Sequence, residues 1–229
     1  MFTILSLFLA LVASAIAYHG VDVSQPTSSS SFSCMKSNGY SFAIVRVYQS
    51  NGKCDPNGPT TIKNAWNAGM SHVDGYIFPC YSCGNAAKQV DDTISYLANH
   101  AVHPVDAAEG NSTVAATSGS TKYGMLWLDV EGTQYWSSST SNNVNFLQQM
   151  VDECKKKGVN VGIYSSSSQW NPIMGGSTKF KDLALWYPHY DGSASFSDFK
   201  SFGGWSKPSI KQYQGDVSFC SAGVDRNYY

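Results

Sequence analysis

The chain has 229 residues, a formal net charge of −1 at pH 7 and only 14% charged residues. Neither the charge balance nor any basic run indicates a nucleic-acid partner. The aromatic content of 14% fits sugar stacking, but it fits an ordinary β-rich core nearly as well.

The first 17 residues are typical of a secretory signal peptide. An uncharged run rich in Leu, Phe, Ile, Val and Ala ends at Ala15-Ile16-Ala17, a small-x-small cleavage site. A transmembrane helix needs about 20 apolar residues, and no later run approaches that length. We therefore expect a secreted protein with one catalytic domain over residues 18–229, no membrane span, and a surface glycosylation acceptor at Asn111.

Six cysteines in a secreted chain favour disulfide bonds, although the sequence leaves their pairing open. Cys80 and Cys83 have the C-x-x-C spacing of redox and zinc sites, but a structural disulfide is the favoured interpretation. The five histidines are scattered without ligand spacing. We therefore expect no metal and no cofactor.

From residue 18 onward, predicted strands and helices alternate. Apolar and β-branched runs predict strands over 21–23, 42–48, 72–81, 123–130, 159–164, 183–187 and 210–214. Apolar residues at helical spacing predict helices over 60–70, 86–99 and 141–157. The Ser-rich segment 25–33 and the Gly/Ser/Thr-rich segment 107–121 are interpreted as loops.

This alternation predicts an α/β fold with a parallel sheet, commonly closed as a barrel. The last third of the chain is expected to be strand–loop–strand with little helix. In such a barrel, the functional face lies where the parallel strands end.

The most informative segment, 125–132, is an apolar strand that ends in two carboxylates. Strand side chains alternate between faces, so Asp129 and Glu131 leave on the same side. Each disfavours ionisation of the other, which suits a hydrolase of glycosidic bonds. Asp22 and Asp225 also lie at strand ends, whereas Asp74 precedes the apolar part of its strand and is expected elsewhere. A capping or turn role is the alternative for each acid singly.

Six segments in chain order resemble glycoside hydrolase family 25, the Chalaropsis-type lysozymes that hydrolyse bacterial peptidoglycan. They are Gly20–Ser24, Leu128–Glu131, Gly162–Ser166, Leu185–Tyr187, Gln212–Tyr213 and Gly223–Asn227. Together they span nearly all of the expected mature chain. The cysteines make the chain most similar to the secreted eukaryotic branch.

The resemblance implies a single modified TIM-like barrel of (β/α)5(β)3 type, with eight strands and fewer helices. It also implies hydrolysis of the β-1,4 bonds between N-acetylmuramic acid and N-acetylglucosamine by a monomer. Glu131 would be the general acid, and Asp129 would orient the 2-acetamido group of the substrate as it attacks the anomeric carbon. Asp22 would stabilise oxocarbenium character across the mouth, with a direct nucleophilic role as the alternative. Asp225 would complete the acidic floor and hold the other acids by hydrogen bonds.

The resemblance further implies that Tyr164, Trp186 and Tyr213 line the groove as sugar platforms. Core packing remains an equal alternative for each of these aromatic residues. Two other functions also stay open: a catalytically silent carbohydrate-binding protein on the same fold, and a chitinase-like hydrolase. Nothing specific supports a signalling or structural protein. A lysozyme could serve antibacterial defence or digestion.

Overall fold

A computed structural model of the protein describes residues 18–105 and 121–229. The predicted signal segment and the sequon at Asn111 lie outside the described residues. The strands are β1 (His19–Val23), β2 (Tyr40–Gln49), β3 (Lys53–Cys54), β4 (His72–Ile77), β5 (Val102–Pro104), β6 (Thr121–Tyr123), β7 (Met125–Asp129), β8 (Asn160–Tyr164), β9 (Ala184–Pro188), β10 (Ile210–Phe219) and β11 (Ala222–Tyr228). The α-helices in these ranges are α1 (Ser29–Ser37), α2 (Gly58–Asn67), α3 (Ala86–Asn99), α4 (Thr140–Lys156) and α5 (Ser167–Met174).

Eight of these strands close into a barrel in the order β1, β11, β10, β9, β8, β7, β4, β2, with β2 pairing back to β1. Only β11, among the described strands of the barrel, runs antiparallel to both neighbours. An α-helix follows each of the first five barrel strands, and the described residues between the last three contain none. The structure therefore confirms the predicted (β/α)5(β)3 barrel.

The barrel interior is filled by side chains and is not a channel. Its core consists of large residues from alternate positions of the strands: Phe42, Ile44, Trp127, Tyr164, Trp186 and Ile210. On β7, Trp127 and Asp129 point inward, whereas Leu126 and Leu128 join the outer core beneath the helices. Because the interior is packed, a ligand has room only at an end of the barrel.

The amino end of the barrel is closed by Asp74. Its carboxylate accepts hydrogen bonds from the Trp127 indole at 2.8 Å and the Met125 backbone N–H at 2.8 Å. His72 Nε2 lies 2.6 Å from the same carboxylate. Asp74 thus lies away from the acids at the carboxyl end, as its position in the sequence predicted.

Two serine-rich segments begin helices, which the sequence interpretation missed. The Ser28 hydroxyl caps α1 by accepting the Ser31 backbone N–H at 3.1 Å, and Phe32 and Met35 on this helix are buried. The prediction of a loop over 25–33 was therefore wrong beyond residue 28. Helix α5 similarly starts after Ser166. Serine favours helix caps, so these runs mark helix starts.

Two disulfide bonds are present, and all six cysteines lie among the described residues. Cys34 on α1 is joined to Cys220 in the β10–β11 turn, 186 residues away. Cys80 and Cys83 are joined to each other. Cys54 and Cys154 carry free thiols. None of the helices in the described ranges is long and apolar enough to cross a bilayer.

Candidate active site

The strand register brings the predicted acids together at the carboxyl end of the barrel. Asp22 on β1 is the direct pairing partner of Asp225 on β11. Asp129 on β7 pairs with Tyr164, which in turn pairs with Trp186. Glu131 follows β7 by two residues. One cavity is lined by Asp22, Tyr76, Asp129, Glu131, Tyr164, Trp186, Tyr190, Gln212 and Asp225.

Gln212 connects the two halves of this cavity through its amide. Its Nε2 donates to Asp22 Oδ2 at 2.9 Å and to Asp225 Oδ2 at 3.0 Å. Its Oε1 accepts the hydroxyls of Tyr164 and Tyr190, each at 2.8 Å. A neutral amide therefore holds two carboxylates and two phenols in place without supplying a counter-charge.

Asp22 accepts hydrogen bonds from two side-chain amides. Besides Gln212, Asn227 Nδ2 donates to Asp22 Oδ2 at 2.6 Å, and Asn227 is itself oriented by the Trp186 indole at 2.8 Å. Burial, and then the charge of Asp225, raises the pKa of Asp22 to about 8 against the opposing effect of these hydrogen bonds. Asp22 therefore keeps a proton to higher pH than an ordinary carboxyl group.

Asp129 is the least exposed of the four cavity acids, and one of its carboxylate oxygens has no hydrogen-bond partner among the described residues. Its side chain is 5% exposed, and among the described residues nothing pairs with its buried Oδ1. Burial, followed by the charges of Glu131 and Asp22, raises its pKa well above the ordinary value. A buried carboxylate oxygen without a partner indicates a site that a ligand donor can satisfy.

Glu131 and Asp225 are only partly buried, at the opening of the cavity. Burial raises the pKa of Glu131, and the Asp225 charge adds to this effect. Burial also raises the pKa of Asp225, against a hydrogen bond from the Asp216 backbone N–H. The described lining of the cavity contains no Lys or Arg, so all four acids compete for negative charge.

The three predicted sugar platforms have different positions. Tyr164 and Trp186 line the cavity, but they are 6% and 2% exposed and meet edge to face at 4.5 Å. They form its buried wall and offer little open ring surface. Tyr213 is not at the cavity: its hydroxyl lies 3.4 Å from that of Tyr40 on the outside of the barrel. Strand alternation turns Gln212 inward and Tyr213 outward, which corrects the predicted position.

Sequence reasoning missed three cavity residues: Tyr76, Tyr190 and Gln212. Gln212 stood in the recognised Gln212–Tyr213 segment, where the aromatic neighbour was the more obvious sugar contact. Tyr190 is 58% exposed, and its ring packs against the backbone at Gly215, where a Cβ would come within 2.8 Å of it. No local pattern marked Tyr190, because it lies on a loop that folds back over β10.

Beside the cavity, a set of charged residues forms what we call the flank network, namely His189, Asp191, Asp198 and Lys211. The fully buried Lys211 ammonium lies 2.8 Å from Asp191 and 2.7 Å from Asp198. His189 Nδ1 is 2.6 Å from Asp198. His189, Asp191 and Asp198 are residue types that bind metals and lie close enough to share one. The two carboxylates, however, already neutralise a buried ammonium and hold the loop that carries Tyr190.

Known proteins resemble this chain over its whole length. The family described as Lysozyme-like protein 1 matches residues 13–106 and 111–213. "Probable GH family 25 lysozyme 2" of Dictyostelium discoideum is 46% identical, covering 97% of this chain and 95% of the relative. "Probable GH family 25 lysozyme 4" of the same organism is 40% identical, covering 100% and 98%.

A solved structure shares the fold. The family GH25 lysozyme from Aspergillus fumigatus superposes with a TM-score of 0.70 at 21% identity, covering 93% of each chain. The near-complete coverage of the curated relatives at 40–46% identity shows common ancestry across the barrel. The chain therefore belongs to glycoside hydrolase family 25 and is a glycoside hydrolase of the lysozyme type.

Proposed function

We propose that the protein is a secreted lysozyme that hydrolyses the β-1,4 bonds between N-acetylmuramic acid and N-acetylglucosamine in bacterial peptidoglycan. The observation that carries this proposal is the cavity with four acids and no cation among its described lining residues. The lysozyme names of the full-length relatives support the same substrate. The signal-like segment at residues 1–17 supports secretion.

Glu131 has the properties of the general acid. It is partly exposed, so its carboxyl group can reach a glycosidic oxygen bound at the opening. Because burial and the Asp225 charge raise its pKa, it retains a proton closer to neutral pH than an ordinary glutamate. After donating this proton to the leaving oxygen, the carboxylate can take one from the incoming water.

Asp129 is suited to a substrate-assisted step. Its unpartnered Oδ1 is available to accept the N–H of a 2-acetamido group, whose carbonyl oxygen then attacks the anomeric carbon. Asp22 and Asp225, paired across β1 and β11, carry negative charge as a pair even while Asp22 keeps its proton, and this charge would balance the positive charge that develops on the sugar ring. In this scheme Gln212 keeps both of these acids in position.

Chitin carries the same acetamido group, so a chitinase-like activity uses the same chemistry and needs a direct comparison. A silent carbohydrate-binding protein has no use for an acid with a raised pKa next to a second acid that has an unpartnered oxygen. Defence and digestion both fit a secreted lysozyme.

The test is the clearing of a purified Gram-positive peptidoglycan suspension by protein recovered from the culture medium. Glu131→Gln is the inactive variant, Glu153→Gln on α4 is the matched control outside the cavity, and chitin is the parallel substrate. We expect clearing of peptidoglycan alone, lost only with Glu131→Gln. Borohydride reduction of the products should label muramic acid residues.

Other outcomes would overturn the proposal. Clearing of chitin in preference to peptidoglycan favours the chitinase-like alternative. Binding without clearing by the unmodified protein favours the carbohydrate-binding alternative. Protein that is retained inside the cell contradicts secretion.

A further inference from the structure

We infer that Tyr135 and Phe78 form an aromatic platform that binds one neutral N-acetylated sugar ring of the glycan, next to the acidic cavity. This platform lies outside the residues that line the cavity. The inference rests on the proposed function, because it assumes a polymeric glycan that extends beyond the bond being cleaved.

The two rings come from neighbouring barrel strands. Phe78 follows β4 directly, and Tyr135 ends a short 3-10 helix, Thr133–Tyr135, in the loop after β7. Their centroids are 5.1 Å apart with an interplanar angle of 80°, so the rings meet edge to face. Tyr135 is 44% exposed and presents an aromatic surface to solvent at the carboxyl end of the barrel.

The backbone of Gly132 links this platform to Glu131. Gly132 has φ +68°, and a Cβ there would lie 2.6 Å from the Tyr135 ring. The ring therefore packs directly on the residue that follows Glu131. A sugar seated on Tyr135 would lie beside the proposed acid.

Two hydrogen bonds hold this loop in place. The Gly132 backbone N–H donates to Gln169 Oε1 at 2.8 Å, and the Trp136 indole donates to the Glu131 carbonyl at 3.1 Å. The platform and the proposed acid are thus parts of one hydrogen-bonded segment. Such preorganisation reduces the entropy lost when a ligand binds.

The chemistry of the platform fits a sugar. The C–H face of a pyranose packs on an aromatic ring, and a partly exposed tyrosine combines an apolar face with a polar hydroxyl. Tyr164 and Trp186 are too buried to offer such a face. Tyr190 contacts Gln212 from the loop after β9, so β8 separates its strand from that of Tyr135. A glycan crossing the cavity would then meet an exposed aromatic on each side of the reacting bond.

The experiment compares Tyr135→Ala, Tyr135→Leu and Tyr135→Phe with Tyr229→Ala. Tyr229 is a matched control because it is 43% exposed and stacks on Tyr18 at the opposite end of the barrel. Clearing rates over a range of peptidoglycan concentrations give the half-saturating concentration and the maximal rate. Co-sedimentation with peptidoglycan, in a Glu131→Gln background, measures binding without cleavage.

We expect Tyr135→Ala and Tyr135→Leu to raise the half-saturating concentration by about five- to tenfold, in line with the loss of one aromatic contact. The maximal rate should stay within about twofold, as expected for a binding group that acts equally before and during the reaction. Tyr135→Phe and Tyr229→Ala should behave like the unmodified protein. Tyr135→Leu keeps an apolar side chain on Gly132 and guards against simple misfolding.

An active protein whose Tyr135 variants saturate normally would overturn the platform and leave the proposed function standing. If the unmodified protein does not clear peptidoglycan, the proposed function fails, and sedimentation decides the platform separately. The platform is supported if only Tyr135→Ala and Tyr135→Leu bind peptidoglycan more weakly, while Tyr135→Phe and Tyr229→Ala bind it like the unmodified protein. Equal binding by all forms, or binding by none, overturns it.

Discussion

The acidic cavity and the neighbouring flank network shift the pKa values of their carboxyl groups in opposite directions. In the cavity, burial raises the pKa values of all four acids, and repulsion from neighbouring cavity acids adds to this effect at Asp22, Asp129 and Glu131. In the flank network, the hydrogen bond from Lys211 lowers the pKa of Asp191. At Asp198, partial burial acts to raise the pKa. Hydrogen bonds from Lys211, His189 and Tyr187 outweigh burial and lower the pKa to about 2.

The opposite pKa shifts arise from the groups that surround the acids in each region. The flank network places a cation between its acids, so ionisation stabilises the fold there. The cavity places amides and phenols around its acids, so ionisation remains unfavourable and protons stay available. Carboxylates that support the scaffold can thus be separated from carboxylates available for chemistry by the groups that surround them.

Replacing Asp129 with Asn should have the largest effect, on catalysis. The amide keeps the size of the side chain but, unlike the carboxyl group, cannot ionise to supply negative charge to a reacting acetamido group. We expect turnover on peptidoglycan to fall by about 10²–10³-fold, with little change in half-saturating concentration, because the lost interaction belongs to the transition state. Steady-state clearing kinetics measure both quantities. A loss confined to affinity would contradict the role assigned to Asp129.

Replacing Lys211 with Met should have the largest effect on stability. It leaves two carboxylates facing each other without the ammonium that neutralises them. We expect the free energy of unfolding to drop by about 2–3 kcal/mol, less than for a fully buried pair because both acids keep some solvent access. Denaturant unfolding measures the change, with the exposed Lys207→Met as the control.

The pH dependence of this loss follows from the lowered pKa values of Asp191 and Asp198. Their contribution to stability is present above the ordinary pKa of about 4 and is lost as pH falls through the folded value. The difference in free energy of unfolding between Lys211→Met and the unmodified protein should therefore become smaller as pH falls from about 4 to about 2. A gap that stays constant over that range would indicate lost packing instead of lost charge.

Local patterns predicted the alternating α/β architecture and the position of all four cavity acids at strand ends. The alternation that sends Asp129 and Glu131 to one face is a property of a single strand, and helices with long apolar stripes, such as α3, need no tertiary information. Short helices such as α1 and α5 were missed, because their Ser-rich starts are typical of loops as well as of caps.

The parts of the site that could not be predicted depend on contacts between distant segments. Gln212 becomes central only because β10 lies beside β11 in the closed barrel, which brings it to Asp22 and Asp225. The flank network needs the loop after β9 to fold back onto Lys211. The inward or outward direction of Tyr213 depends on strand register, which the segment alone leaves undecided.

The unfavourable environment of Asp129 in the cavity should also lower the stability of the folded protein at neutral pH. Because the pKa of Asp129 is raised on folding, the folded state holds its proton more tightly, and stability falls as pH rises from the unfolded value toward the folded one. Asp129→Asn removes this penalty. We expect a melting temperature about 2–4 °C higher at pH 7, corresponding to about 1 kcal/mol, and little difference near pH 3. A variant less stable than the unmodified protein at pH 7 would contradict an unfavourable environment at Asp129.

The smallest expected effect concerns the pair formed by Asp74 and His72 at the amino end of the barrel. His72 can gain or lose a proton, so the contribution of this pair to stability depends on pH. The charge of Asp74 raises the pKa of His72 despite partial burial. The ion pair therefore contributes fully below the unfolded pKa of about 6.5 and is lost as pH rises through the folded value. His72→Gln keeps a donor for Asp74 but removes the charge. We expect it to lower the free energy of unfolding by about 1 kcal/mol at pH 5.5 and by much less at pH 8.5, measured by denaturant unfolding at both values. Equal losses at pH 5.5 and pH 8.5 would mean that His72 stabilises the barrel through its shape and hydrogen bond. An uncharged donor would then be enough to hold the buried carboxylate of Asp74 at the amino end, as amide donors hold Asp22 at the carboxyl end.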